Sequence, residues 1–357
     1  MLVVFAGGGT GGHLYPGIAV ARALVRLAPD TRFEFWGSGR PLETEICRKE
    51  GVTCQVLSAA PMPRDLSAMF RFAKSLLTGY FEAKRLIRSR HVSVVVGLGG
   101  YSSFMPVYAA TRLDLPTLIL EQNAVPGKAN GFLATRVSLV CLTWQASLKH
   151  MPGGANSIVT GNPLRQPIIE AAKAFAYGPS RGILILGGST GAMGLNSMVI
   201  EVLPKLAALG RAITHQTGSQ DFERVSAAYR TAGIRADVRP FIDDMPAAYA
   251  NAALVIARAG GTTLSELALF GLPSILVPYP HHKDYHQMAN ARVFAENYAA
   301  EIIEEGVGAG EGLAIMAKNL LSDAALLNTV HAAALAIGKP DAAEEIASRI
   351  LSFADKG

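Results

Sequence analysis

Short apolar runs recur along the chain, each followed by a stretch of helical length. In the first half they fall at 2–6, 32–36, 52–57, 92–96, 117–120 and 138–141. In the second half they fall at 182–186, 211–216, 235–239, 253–256, 274–277 and 300–303. Near-continuous apolar character, as in 92–96, 118–120 and 254–256, is the pattern of strands covered on both faces by helices. Strands alternating with helices predict repeated βαβ units and an α/β class built on parallel sheets. The tail from Pro340 to Phe353 reads as an amphipathic helix with Ala342, Ile346, Ile350 and Leu351 on one side, able to pack on either half.

Two of the strands run into glycine clusters. Leu2 to Ala6 leads to Gly7-Gly8-Gly9-Thr10-Gly11-Gly12-His13, and Ile183 to Leu186 leads to Gly187-Gly188-Ser189-Thr190-Gly191. Glycines there let the backbone turn tightly and bring N–H groups, with the positive end of a helix, close to an anion. Repetition of the device half a chain later predicts two mononucleotide-fold domains facing each other across a cleft. Between them, Thr160-Gly161-Asn162-Pro163-Leu164-Arg165-Gln166-Pro167 breaks both helix and strand. The expected division is 1–160, a linker at 161–167, a second domain at 168–338 and a terminal helix within 339–357.

Composition narrows the class. Of 357 residues, 50% are hydrophobic and 17% charged, which suits a core-rich globular protein and excludes disorder. The balance of 33 basic against 28 acidic residues leaves +5, a modest excess compatible with nucleic acid, anionic lipid or phosphorylated substrates. Cys47, Cys54 and Cys141 lack metal-ligand spacing and read as free thiols of a reducing compartment. No run approaches the ~20 apolar residues of a membrane span. Met1 leads straight into a strand, without the features of a signal peptide, so a cytoplasmic-side protein, free or peripherally attached, is expected.

Candidate chemistry gathers on the loops that follow strands. His13 closes the first glycine loop, and Pro16 suits a first helical turn; the histidine is a proton shuttle or phosphate donor, or only caps the loop through a backbone hydrogen bond. A nicotinamide fingerprint is incomplete, because Phe35-Trp36-Gly37-Ser38 stands where a ribose-binding acid would end the second strand. A P-loop is excluded for want of Gly-Lys-Ser/Thr. Gly97-Leu98-Gly99-Gly100-Tyr101-Ser102-Ser103 and Glu121-Gln122-Asn123 follow two further strands, so three loops converge on one rim. Glu121 is either a base or a buried capping acid.

In the second half, Arg258-Ala259-Gly260-Gly261-Thr262-Thr263-Leu264-Ser265-Glu266 follows an apolar strand. Its glycines and threonines suit a helix N-terminus offered to a phosphate. Glu266 either accepts two hydrogen bonds from a ribose diol or stabilises the helix from its first turn. His281, His282, Lys283, Asp284, His286, Gln287 and Asn290 follow Pro278-Tyr279-Pro280; the three histidines lack a supporting ligand pattern, and no metal is expected. Leu66, Met69, Phe70, Ala73, Leu76, Leu77, Tyr80 and Phe81 repeat at helical spacing among Arg64, Arg71, Lys74, Lys84, Arg85, Arg88 and Arg90. Such a stripe packs on its own sheet as a crossover helix or lies on an anionic membrane.

The ordered set Gly8-Gly9-Thr10-Gly11-Gly12-His13, Gly99-Gly100-Tyr101-Ser102, Glu121-Gln122-Asn123, Gly161-Asn162-Pro163-Leu164-Arg165, Gly187-Gly188-Ser189 and Glu266 resembles the MurG family of peptidoglycan glycosyltransferases, in glycosyltransferase family 28. The resemblance implies a GT-B fold, two Rossmann-like doubly wound parallel-sheet domains. It implies inverting transfer of N-acetylglucosamine from UDP-GlcNAc to the 4-hydroxyl of the N-acetylmuramoyl unit of lipid I, giving lipid II. Alternatives within reach of the fold are a diacylglycerol sugar transferase and a UDP-GlcNAc 2-epimerase. The first domain would meet the acceptor through Gly100, Tyr101 and Ser102, with His13 or Glu121 as base. Donor contacts would fall to Thr10, Gly11, Gly12, Asn123, Arg165, Ser189, Ile242, Gly261, Thr262, Thr263, Leu264, Ser265, Glu266 and Gln287. No cofactor or metal is implied. The membrane reading of the 66–90 stretch then gains weight, with Met69, Phe70, Leu76, Leu77, Phe81, Lys84 and Arg85 as the patch. The implied setting is the cytoplasmic face of the bacterial inner membrane, beside cell-wall synthesis proteins and without nucleic acid. Thr190 and the Gly261-Thr262 pair depart from residues common in the family, altering side chains without removing backbone donors.

Overall fold

The computed structural model describes residues 1–60, 66–188, 191–280 and 285–354, with side chains omitted at 66–68. The chain divides into two compact units: Met1–Arg165 with the segment from Pro340, and Gln166–Lys339.

The first unit runs β1 (Leu2–Gly7), α1 (Gly11–Leu27), β2 (Arg32–Gly37), α2 (Pro41–Glu50), β3 (Cys54–Val56), α3 (Leu66–Ser89), β4 (Val94–Gly99), α4 (Tyr101–Thr111), β5 (Thr117–Glu121), α5 (Lys128–Leu133), β6 (Leu139–Leu142) and β7 (Ser157–Val159). Its seven strands are all parallel, in the order β3-β2-β1-β4-β5-β6-β7. Along β1, Val3 and Phe5 join one apolar cluster while Leu2, Val4 and Ala6 join another. Successive side chains point to opposite faces, so a strand buried on both must be apolar throughout.

The second unit continues α6 (Gln166–Lys173), β8 (Gly182–Leu186), α7 (Met193–Glu201), α8 (Leu203–Ala207), β9 (Ile213–Gln216), α9 (Phe222–Thr231), β10 (Asp237–Arg239), α10 (Met245–Ala250), β11 (Ala252–Ala257), α11 (Gly261–Phe270), β12 (Ser274–Leu276), α12 (His286–Glu296), β13 (Ala300–Ile302), α13 (Ala309–Ser322) and α14 (Ala324–Ala336). Its parallel strands are ordered β10-β9-β8-β11-β12-β13. Both sheets reverse direction of growth beside their first strand, between β1 and β4 and between β8 and β11. Loops leaving the carboxyl ends of adjacent strands at such a reversal open a crevice, the ligand-binding position of open α/β sheets. Each glycine cluster stands at that point.

The final helix, α15 (Ala342–Ala354), returns to the first unit. Ala343, Ile346, Ala347 and Ile350 complete the apolar cluster that holds Val3, Phe5, Leu14 and Ile18.

All twelve apolar runs form strands, some trimmed and some extended at their ends by one to three residues. Two details differ from the sequence reading. Gly97-Leu98-Gly99 belongs to β4 instead of the loop beyond it, because β1 pairs with it through Gly7. The three-residue edge strand β7 is too short to leave a pattern.

Helix α3 divides lengthwise. Gly79, Ala83 and Ile87 are buried, and a Cβ on Gly79 would lie 2.4 Å from the Ser58 carbonyl. Met69, Phe70, Leu77 and Phe81 are instead 51–79% exposed, Leu76 and Lys84 are half-buried, and Arg71, Lys74, Arg85 and Arg88 are exposed. One side of the helix thus packs as the crossover reading expects, and the other leaves apolar and basic side chains exposed. Arg64 and the Leu66 side chain lie outside the described residues. Among the described residues no helix is long and apolar enough to cross a membrane.

Candidate functional site

In the first unit the glycine loops after β1 and β4 pack backbone to backbone. Gly7, Gly8 and Gly9 have φ of 121°, 155° and 91°, a region that side chains rarely enter. A Cβ on Gly7 would stand 2.6 Å from the Gly99 carbonyl oxygen, so the close approach itself demands glycine. Beneath the loop, buried Glu43 accepts from the Ser38 and Arg40 amides at 2.9 and 3.1 Å. Its carboxylate lies 2.9 Å from where a Cβ on Gly8 would be. Sequence reasoning passed over Glu43, although Pro41 followed by an acid two residues later is a helix-start signal.

Helix α1 opens at Gly11, earlier than Pro16 suggests, so His13 sits in its first turn. The ring Nδ1 lies 3.1 Å from Thr10 Oγ1, and the ring edge faces Gly99, whose added Cβ would be 3.2 Å from Nε2. Burial pushes the imidazole below its ordinary range, opposed by the charge of Glu121 and by the Gly8 carbonyl, which accepts from the ring. The result is a neutral imidazole at pH 7, competent to take a proton. Capping the loop and serving as base are compatible here.

Glu121 ends β5, 3% exposed. One carboxylate oxygen accepts from the Asn123 amide at 2.9 Å and from Asn123 Nδ2 at 3.1 Å. The other accepts from the Gly127 amide at 3.0 Å and Asn130 Nδ2 at 2.8 Å. Both oxygens are thus engaged in closing the loop that carries Asn123. Gly100, with φ 77°, precedes α4; Tyr101 stacks under the Arg40 guanidinium at 5.1 Å, and Ser102 is buried. Arg165 lies over the Tyr15 ring at 4.5 Å. Thr10, Gly11, Gly12, His13, Gly100, Tyr101 and Ser102 are brought to one rim by β1 and β4.

In the second unit the rim is formed by the ends of β8 and β11, joined where the Arg258 amide reaches the Leu186 carbonyl at 3.4 Å. Gly188 and Gly191 have φ of 81° and 79°; Ser189 and Thr190 lie outside the described residues, as do His281, His282, Lys283 and Asp284. Helix α11 starts at Gly261, so the amides of its first turn point out of the helix end. Thr262 and Thr263 are half-buried, while Leu264 and Ser265 turn into the protein. Glu266 falls in the second turn, not the first. It is 7% exposed and accepts from the Tyr249 hydroxyl at 2.7 Å. Buried Ile242 lies just before α10, the helix that carries Tyr249. Gln287 Oε1 accepts from the Tyr279 amide at 2.9 Å, and Asn290 Nδ2 donates to the Ala259 carbonyl at 3.1 Å, fixing the loop that leads into α11.

Tyr249 was invisible in the sequence, since its partner is fixed only by packing. Among the described residues no group of three or more His, Cys, Asp or Glu side chains is arranged to hold a metal ion. The three cysteines are free thiols.

Two family models match in succession: the glycosyltransferase family 28 N-terminal domain over residues 3–141, and its C-terminal domain over 182–346, which runs into α15. The chain is 40% identical to the UDP-N-acetylglucosamine–N-acetylmuramyl-(pentapeptide) pyrophosphoryl-undecaprenol N-acetylglucosamine transferase of Thermodesulfovibrio yellowstonii, covering 97% of both chains. It is 38% identical to the protein of the same name from Geobacter metallireducens, over 99% of this chain and 98% of that one. The crystal structure of Acinetobacter baumannii MurG superposes with a TM-score of 0.79 at 31% identity, over 98% of this chain and 99% of that one. With two glycine-rimmed parallel-sheet units and full-length similarity of this order, the chain belongs to glycosyltransferase family 28.

Proposed function

We propose that the protein transfers N-acetylglucosamine from UDP-GlcNAc to the 4-hydroxyl of the N-acetylmuramoyl unit in undecaprenyl-pyrophosphoryl-MurNAc-pentapeptide, forming the β-1,4 bond of lipid II. The observation that carries this reading is the 40% identity to a transferase of that name over 97% of both chains. The rims support it chemically. His13, neutral at working pH, takes the proton from the acceptor hydroxyl as its oxygen attacks the anomeric carbon opposite UDP, inverting the configuration. Glu121 positions the Asn123 loop instead of serving as base. In the second unit, Glu266 holds the ribose diol and Ile242 offers its backbone to uracil. The amides at the start of α11, with that of Gly188, neutralise the departing diphosphate.

The test is to incubate the purified chain with UDP-GlcNAc and a lipid I analogue. UDP release should require both. Release without acceptor, or preference for UDP-glucose or UDP-galactose, would overturn the reading. Replacing Glu266 by alanine removes charge-assisted hydrogen bonds of about 1.5–3 kcal/mol. The donor KM is therefore expected to rise roughly 10- to 150-fold with the acceptor KM unchanged, as initial-rate kinetics will register.

The exposed apolar side chains of α3 and their basic neighbours support peripheral attachment to an anionic leaflet, on the cytoplasmic side where lipid I would be met. Phe70→Glu with Leu77→Glu is expected to abolish co-sedimentation with vesicles containing anionic lipid. Turnover of a water-soluble acceptor analogue should persist in that variant; retained vesicle binding would move the patch elsewhere.

A further inference from the structure

Behind the second glycine loop lies a buried polar chain that the proposed chemistry does not use. His215 on β9 and Asn196 on α7 are both 0% exposed. The Asn196 amide nitrogen donates to the Thr217 carbonyl at 3.0 Å and to Asp221 Oδ2 at 2.7 Å. Its Oδ1 is thereby left as acceptor, 3.1 Å from His215 Nε2. That nitrogen must carry the proton, so His215 Nδ1 accepts from the Tyr229 hydroxyl at 3.2 Å. The chain has one consistent polarity, from Tyr229 through His215 and Asn196 to Asp221, which the Arg224 guanidinium clasps at 2.6 and 2.7 Å.

The same short segment touches the glycine loop. Gln216 Nε2 donates to the Gly188 carbonyl at 3.3 Å, and the Gly187 amide donates to the Gln216 carbonyl at 3.1 Å. A Cβ on Gly191 would lie 3.0 Å from the Thr217 carbonyl, the one Asn196 holds. Leucine could fill the space of His215, whereas a polar group at full burial is costly unless every partner is met. What the satisfied chain supplies is direction: it fixes Thr217 and the start of α7 against each other, with the loop flanks between them.

We propose that His215 and Asn196 are positioning residues, locking the Gly187–Gly188 turn and the start of α7 in the geometry that receives a nucleoside diphosphate. This rests on the transferase reading above. Burial holds the His215 imidazole down at about 4, against the opposing charge of Asp221, so the neutral tautomer that the chain requires persists across the working range.

The test uses the full chain, UDP as probe, calorimetric titration, and donor and acceptor KM from initial rates. His215→Leu is expected to weaken UDP binding and raise the donor KM about tenfold or more, the order of one buried hydrogen-bond connection. The acceptor KM should stay within about twofold. His215→Gln, whose amide can still donate to Asn196, is expected to restore UDP affinity even where thermal stability is not restored. A leucine variant that melts lower yet binds UDP like the wild type would reduce the chain to a fold element and overturn the proposal. Should that variant not fold, Asn196→Ser decides, and unchanged UDP affinity would again overturn it. If the wild-type chain itself does not take up UDP, the transferase reading falls first, and this proposal falls with it.

Discussion

Substituting His13 by alanine is expected to lower kcat by about 10²- to 10⁴-fold, with the thermal melt nearly unchanged. The side chain hydrogen-bonds with Thr10 Oγ1 and the Gly8 carbonyl, and its loss leaves the glycine turn to the backbone contacts of Gly7 with Gly99. The pH profile carries the sharper test. A base must be unprotonated to act, and burial pushes this imidazole below its ordinary value. In the wild type, kcat/KM should therefore rise with pH through a limb centred below the ordinary 6.5 of histidine, then level off near neutrality. That limb should vanish in the alanine variant. A limb at the same position in both proteins would assign the base elsewhere.

The sequence made the rims legible because their signal is local. A strand buried on both faces has to be apolar at every position, as at β1 and β11, and a backbone that turns within a residue of the strand end has to be glycine. The βαβ alternation predicted parallel sheets, whereas strand order, and hence the meeting of Gly7 with Gly99, is set by pairing between distant segments. Interactions joining distant segments were not legible. Glu43 is determined by Ser38 and Gly8 above it, Tyr249 by Glu266 on another helix, and His215 by Asn196 and Tyr229. Nothing near Tyr249 or His215 in the chain marks them, since an aromatic or histidine in a strand or helix is ordinary. Pro16 misled for a related reason: proline favours a first turn but is tolerated deeper when the helix starts on flexible glycines. The two readings of α3 were inseparable in sequence because one apolar stripe serves a buried half and an exposed half.

Glu121 shows where local pattern stops and geometry decides, and the variants that separate its two readings should differ clearly. Alanine at this position would leave the Asn123 and Gly127 amides and the Asn123 and Asn130 side chains without their acceptor. Each unmet buried donor costs roughly 1–3 kcal/mol; allowing for relaxation and water entry, a net loss of about 3–5 kcal/mol is expected, read as a lower denaturant midpoint. Glutamine is the decisive variant. It preserves shape but turns one acceptor oxygen into an NH2 group facing donors, so a bracing Glu121 predicts that the glutamine variant is destabilised nearly as much as the alanine one. A catalytic Glu121 predicts the reverse, wild-type stability with kcat near zero. The glutamine variant also removes the negative charge that holds His13 up. Its remaining activity should therefore keep the acid limb of His13, displaced toward lower pH. A stable glutamine variant lacking that limb would exchange the two roles, making Glu121 the base and His13 its support.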